Sequence, residues 1–242
     1  MEKQITIIIG ANSAIAKALA QEVIIDQQLI VISRNVDFYE QDIFASARLI
    51  SLKNYDESEI VSAVNTIKHS SNGVISRVFI CHGILHSENC QPEKRLEDFS
   101  VQAFNEVITA NTITPMLWLK NLVPLLTSKS ECKVTVFSAR VGSISDNELG
   151  GWYSYRTSKA AMNMLLKSAA VELSRRAKNI KLISFHPGTT DTPLSKPFQA
   201  NVPAGKLFTC DFVAKQLLRI VKNTELDGQA SFVDWQGNLI PW

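Results

Sequence analysis

The 242-residue chain is short of several things that would define other classes of protein. It has almost no charge imbalance, with 25 basic against 23 acidic residues and a formal net charge of +2. Nothing in that balance implies a nucleic-acid footprint, which would need a clustered basic excess. It has no long apolar run: the early stretch "ITIII" is too short to span a bilayer or to serve as a signal-peptide core. The expectation is therefore a cytoplasmic protein with no membrane partner. Its four cysteines, Cys81, Cys90, Cys132 and Cys210, show no C-x-x-C spacing, so free thiols are expected rather than a disulfide framework. "CHGILHSENC" gathers Cys81, His82, His86 and Cys90 without a recognised ligand spacing, and no metal is expected. No Pro/Gly/Ser-rich linker, internal repeat or low-complexity tract divides the chain, so residues 1–242 are expected to form a single domain.

What the chain does have is short β-branched or apolar runs: "QITIII", "LIVIS", "LISL", "RVFIC", "KVTVFS", "KLISFH" and "ASFV". Most are separated by segments of helical periodicity, over Ala14–Gln27, Asp56–Lys68, Leu96–Thr127, Tyr155–Lys178 and Asp211–Asn223. Asp56, with Glu59 three residues on, reads as a helix N-cap. Alternating strands and helices predict an α/β fold, a doubly wound parallel sheet of about seven strands with helices on both faces. The nearly continuous apolar strands agree, since strands buried on both faces need no polar side. Ligands of such sheets bind beyond the carboxyl ends of the strands, so chemistry is sought in the residues just after each one.

The first strand runs into "GANSAIAKALA". Gly10 opens a tight turn, and the helix that follows offers free N–H groups and a positive dipole end to a phosphate. The small residues Ala11, Ser13, Ala14 and Ala16 let a pyrophosphate approach the backbone. The second strand ends in "VISRN". An acidic residue there would bind the ribose hydroxyls of NAD, whereas Arg34, beside Ser33, suits the extra phosphate of NADP.

"GGWYSYRTSK" holds two tyrosines before a lysine. Residues four apart share a helix face, so Tyr155 rather than Tyr153 pairs with Lys159. A phenol titrates near about 10, and a neighbouring ammonium is expected to lower that value toward the range useful for general acid catalysis. Ser138 ends the strand before this helix and can hydrogen-bond a substrate oxygen.

A glycine turn after the first strand, a serine at a strand end, and Y-x-x-x-K some 17 residues later resemble the short-chain dehydrogenase/reductase (SDR) family. Within it, "SARVGSISDNELGGWYSYRTSKAAMNML" is most similar to the branch containing the bacterial C-factor proteins. The resemblance implies that Ser138 polarises a carbonyl, Tyr155 exchanges its proton, and Lys159 binds the nicotinamide ribose. It implies Asn111 as the fourth catalytic member. Pro115 lacks the N–H that would bond the Asn111 carbonyl, so a water site and a kink are expected there. Gly10, Asn12, Ser13, Ala14, Ile15, Ser33, Arg34, Gly83, Asn111, Tyr155 and Lys159, with Pro187, Gly188, Thr190 and Thr192 of "HPGTTDTP", are then the cofactor contacts.

The implied activity is an NADPH-dependent oxidoreductase that reduces a small-molecule aldehyde or ketone, or oxidises the alcohol. The implied assembly is a homodimer or homotetramer. The alternative is a non-catalytic NADP-binding regulator or signal of the C-factor type. A sugar-nucleotide epimerase of the longer family branch does not suit the short stretch after Pro187.

The family pattern is broken in places. The usual T-G-x-x-x-G-x-G has Ile9, Ala14 and Ala16 in place of threonine and the later glycines. The usual N-N-A-G reads "ICHG" and keeps only Gly83. The strand-three aspartate that touches adenine falls at Lys53 or Asn54. Arg140 and Arg156 flank the reactive residues and suggest either a greeting for an anion or, for Arg156, plain solvent exposure. Trp118 reads as core. Residues 193–208 are expected to cover the pocket, and the C-terminal "GNLIPW" to pack on another subunit.

Overall fold

A computed structural model describes residues 3–70 and 73–242. The central sheet is built from β1 (Gln4–Ile9), β2 (Gln28–Ser33), β3 (Arg48–Ser51), β4 (Val74–Ile80), β5 (Cys132–Phe137), β6 (Ile180–His186) and the later β9 (Ala230–Asp234). A small separate ladder joins β7 (Thr189–Thr190) to β8 (Leu207–Phe208). The sheet order is β3-β2-β1-β4-β5-β6-β9, with every pairing parallel. The chain winds outward from β1 to β3, then restarts at β4 on the other side of β1. That reversal opens a crevice at the carboxyl ends of β1 and β4.

Side-chain alternation splits the interior into two layers. Ile5, Ile7 and Ile9 of β1 join the core under α2 (Glu57–Ser70), α4 (Thr114–Leu126) and α5 (Tyr153–Arg176). Ile8 points the other way, into the core under α1 (Ala14–Val23) and α6 (Cys210–Asn223). Trp118 is fully buried in the first layer, as its stripe predicts.

Two expected helices differ in extent. The first ends at Val23, because Gln27 leaves the helix to accept from Thr6 Oγ1 at 2.6 Å as β2 begins. The expected Leu96–Thr127 helix is interrupted. Ser100 caps α3 (Val101–Ile108), a π turn follows over Thr109–Ile113, and α4 begins with Pro115 in its first turn. The missing N–H of Pro115 is thus accommodated by a widened turn, in which Thr114 N–H donates five residues back to Thr109 O.

Asp56 stands at the N-cap position of α2, its carbonyl accepting from Ile60 N–H, but Glu59 does not reach back to it. Glu59 accepts instead from Lys53 N–H at 3.1 Å, and Asn54 Oδ1 accepts from Asp56 N–H at 2.9 Å. The C-terminal "GNLIPW" folds back on its own chain, while Leu239 within it stays exposed. Ile240 N–H donates to Phe232 O at 2.8 Å, Trp242 packs on Phe232 at 5.5 Å, and Lys167 Nζ lies over the Trp242 ring.

Candidate active site

The turn after β1 is shaped by Gly10 at φ 71°. A Cβ there would lie 3.1 Å from the Cys81 backbone carbonyl, so the approach of β1 to β4 requires glycine. Ser13 caps α1 by accepting from Ala16 N–H, and the buried Tyr39 donates to Ala11 O at 2.7 Å. Ala14 is the first residue of α1 and does not have a positive φ, so its methyl group imposes no backbone strain. Ala16 is fully buried, where a small residue brings α1 onto the sheet.

This turn borders two adjoining cavities. One, of about 1220 Å3, is walled by Gly10, Asn12, Ser13, Ser33, Arg34, Asn35, Tyr55, Asp56, His82 and Gly83. The Arg34 guanidinium lies 5.1 Å from the Tyr55 ring centre, a cation–π contact that steadies it at the cavity wall. His82 meets the same tyrosine edge-on at 4.3 Å. Burial first, then the charges of Arg34 and Lys159, holds His82 down to about 3, so its ring is neutral. Its Nε2 is buried without a protein partner. Tyr55 and Asp56 were not expected here. Asp56 lines the cavity rather than serving only as a cap, and the signal was its position just after β3.

The second cavity, of about 620 Å3, shares Asn12, Ser13, Cys81, His82 and Gly83 with the first. It is lined by Ala14, Ile15, Ser138, Tyr155, Lys159, Pro187, Gly188, Thr190 and Thr192. Every residue of the expected catalytic and cofactor-contact set therefore borders one of the two cavities, except Asn111. Asn111 is fully buried and bonds on both sides: its Nδ2 donates to Ile84 O and Ser158 Oγ, and its Oδ1 accepts from Ile84 N–H at 2.7 Å. Its side chain ties the loop after Gly83 to α5.

Lys159 is buried with its Nζ donating to Phe137 O at 2.9 Å and lying 5.7 Å from the centre of the Tyr155 ring. Burial lowers its pKa to about 8. Tyr155 is also buried, and burial pushes its phenol above the usual value of 10.0. The expected acidification of Tyr155 by Lys159 is not found: desolvation of the phenolate sets the direction of the shift, and the Lys159 ammonium donates to the Phe137 carbonyl.

Ser138 is fixed by its N–H to Phe185 O at 2.8 Å and by its hydroxyl donating to Asn163 Oδ1 at 2.9 Å. Asn163 also accepts from Ser184 Oγ at 2.6 Å and donates to Gly142 O at 3.3 Å. Asn163 was missed from the sequence, although it stands one helical turn beyond Lys159, on the stripe that starts at Tyr155.

Gly188, at φ 71°, lets the chain turn under Phe208 and Trp235, where a Cβ would come within 2.7 Å of the Phe208 ring. Thr190 Oγ1 donates to Pro187 O, and Ser195 Oγ to Thr190 O at 2.6 Å, so the segment after β7 folds across the cavity mouth. Neither flanking arginine is free. Arg140 pairs with Asp146 at 3.1 Å and Asp234 at 3.4 Å, and Arg156 Nε donates to Gly150 O and Gly151 O. Among the described residues, no group of three or more His, Cys, Asp or Glu side chains is placed to hold a metal. All four cysteines are free thiols.

The short chain dehydrogenase family model matches residues 4–203. C-signal of Myxococcus xanthus is 30% identical over 147 residues, 61% of this chain and 83% of the relative. The 1-hydroxy-2-glutathionyl-2-methyl-3-butene dehydrogenase of Rhodococcus sp. (strain AD45) is 33% identical over 135 residues, 56% of this chain and 57% of that protein. Among solved structures, the NADPH-bound carbonyl reductase from chicken fatty liver superposes with a TM-score of 0.82 at 19% identity, covering 100% of both chains. With the strand-end serine, the tyrosine–lysine pair and the glycine turn opening on one continuous crevice, the chain belongs to the short-chain dehydrogenase/reductase family of oxidoreductases.

Proposed function

We propose that residues 1–242 act as one dinucleotide-binding domain and as an NADPH-dependent carbonyl reductase, running in reverse as an alcohol dehydrogenase. The observation that carries this reading is the shared cavity of Ser138, Tyr155 and Lys159, continuous with the cavity that Arg34 borders. The crevice fits a dinucleotide in specific ways. Gly83 keeps the wall clear, since a Cβ there would sit 3.0 Å from Lys159 Nζ. The orphaned His82 Nε2 is a polar atom with room for a partner. Ser33, Arg34 and Asn35 form a donor set suited to a phosphate on the adenosine ribose.

A bound reduced nicotinamide supplies the hydride. Ser138 orients the substrate oxygen, with Asn163 holding the serine in place. Tyr155 gives the proton, so that the C=O group gains a hydride at carbon and a proton at oxygen. Lys159 steadies the cofactor ribose and, once its Nζ turns from Phe137 O, favours the tyrosinate that must be reprotonated. Asn111 acts behind them by fixing the Gly83–Ile84 loop and α5. Pro187, Gly188, Thr190 and Thr192 border the nicotinamide end. That the Rhodococcus relative is a dehydrogenase and the chicken-liver protein a carbonyl reductase supports redox chemistry at this kind of site.

The working form is a homodimer or homotetramer, a reading supported by the exposed Met164, Leu165 and Val171 on α5. Among the described residues no helix is long and apolar enough to cross a membrane.

NADPH oxidation is to be followed against a panel of aldehydes and ketones, with Tyr155→Phe as control. General acid catalysis contributes about 10²- to 10⁴-fold, and the variant should lose that much while still binding NADPH. Equal rates for the two proteins would remove Tyr155 from the chemistry. Cofactor binding with no turnover of any compound would favour the regulator reading.

A further inference from the structure

Apart from the two sheet cores, a third apolar cluster surrounds Tyr155. It consists of Leu85, Ala139 and Tyr155, with Val141, Trp152 and Phe198 packed against them. These residues come from four separate segments and cover neither face of the sheet. They line the reactive cavity instead.

Trp152 is held there against its backbone preference. Gly150, Gly151 and Trp152 have φ of 62°, 65° and 52°, and Trp152 is the one non-glycine with positive φ among the described residues. A bulky residue in that region is uncommon, and such strain gathers at functional sites. Three contacts hold it. Trp152 N–H donates to Glu93 O at 2.6 Å, the buried Glu93 carboxylate receives the Ser154 N–H and hydroxyl, and Arg156 grips the Gly150 and Gly151 carbonyls. The indole then meets Tyr155 at 77° and 6.1 Å, and Phe198 at 62° and 5.1 Å. Edge-to-face rings of this kind favour a further ring among them.

At the carbonyl end the cavity offers no unpaired charge beyond the reactive lysine; Lys17, which also lines it, stands on α1 at the nucleotide end with its Nζ over the Phe38 ring. Arg140 is matched by two carboxylates, and Arg156 is not among the residues that line the cavity. Burial and the Arg140 charge keep His186 neutral, down to about 4. A substrate anion would therefore be desolvated without a counter-charge, which is costly.

We propose that the substrate is an uncharged ketone or aldehyde with an aromatic ring next to its C=O group, the ring lying against Trp152, Phe198 and Leu85 and the oxygen at Tyr155 and Ser138. This rests on the carbonyl-reductase reading and names its substrate class. Trp152 and Phe198 are the specificity-determining residues, and Glu93 and Arg156 position Trp152.

The test compares kcat/KM with NADPH for matched pairs: acetophenone against cyclohexyl methyl ketone, and methyl para-acetylbenzoate against para-acetylbenzoate. Acetophenone should exceed its saturated analogue by about tenfold, which is ~1.4 kcal/mol. The ester should exceed the carboxylate by at least about a hundredfold. Trp152→Ala and, independently, Phe198→Ala should each shrink the acetophenone preference toward unity. Phe198 lies outside the strained turn, so its variant reports even if the tryptophan variant misfolds. Turnover with the carboxylate or the cyclohexyl ketone equal or preferred would overturn the aromatic slot and leave the reductase reading standing. Absence of turnover across the whole panel would overturn both.

Discussion

Asn163→Leu removes the amide behind Ser138 while nearly keeping its volume. The residue is buried, and three hydrogen bonds end on it: Ser138 Oγ at 2.9 Å, Ser184 Oγ at 2.6 Å and Gly142 O at 3.3 Å. Each such bond contributes about 1 kcal/mol net, and the Gly142 carbonyl is left without this donor, so the loss should be about 3 kcal/mol. For a chain of this size 1 kcal/mol moves Tm by about 2–4 °C, so calorimetry should show a fall of about 6–12 °C. The kinetic consequence separates a positioning role from mere support. Ser138→Ala should cost about 10²-fold in kcat/KM, the scale of a lost oxyanion donor, and Asn163→Leu about tenfold. Because Asn163 meets the cavity only through Ser138, the double variant should be no slower than Ser138→Ala alone. Double-variant losses that multiply, measured well below the lowered Tm, would refute the coupling and leave Asn163 a packing residue.

Arg34→Ala should weaken NADPH binding about 10- to 100-fold, the value of a charge-assisted bond to phosphate, with NADH almost unaffected; fluorescence titration that finds equal loss for both cofactors would contradict its role. Lys159 supplies a pH-dependent handicap to folding. Its pKa falls from 10.5 unfolded to about 8 folded, so between those values the unfolded chain holds more protons and stability from this residue rises with pH, by about 3 kcal/mol in all. Denaturant unfolding of wild type and Lys159→Met at both ends of that window should show wild type gaining on the variant by about that amount as pH rises, and a constant difference would be inconsistent with a buried amine.

The alternating architecture was legible because its signals are local: β-branched runs, helical stripes and a glycine turn. Tyr155 and Lys159 were legible because four-residue spacing is geometry. Ser138 followed from its place at a strand end. What the sequence hid depends on contacts made after folding. Nothing local shows that Trp152 would be left-handed, since the cause lies in Glu93, far back in the chain. The partners of the flanking arginines are hidden in the same way. Arg140 and Arg156 stand beside reactive residues, yet both are spent on Asp146, Asp234 and two glycine carbonyls, partners that only the turn geometry supplies. The direction of the Tyr155 shift was misjudged because spacing reports proximity to an amine and is silent on how far both groups are removed from water.

The buried polar residues around α5 explain why the reactive stripe faces the cavity at all. Tyr155, Lys159 and Asn163 follow one another at four-residue spacing, so turning the helix by one residue, about 100°, would remove all three together. α5 also carries a second four-residue pair, Ser154 and Ser158, and both are gripped from outside. Glu93 holds the Ser154 N–H and hydroxyl, Asn111 Nδ2 bonds Ser158 Oγ at 3.0 Å, and Thr112 Oγ1 donates to Ser158 O at 2.7 Å. The π turn over Thr109–Ile113 widens the chain at the point where Asn111 and Thr112 meet α5. Such a turn is tolerated where it serves a site. The break that Pro115 enforces, the buried glutamate and the two serines therefore act as one clamp on the rotation of α5. Its two serine anchors lie on the same stretch of helix as the reactive stripe they orient.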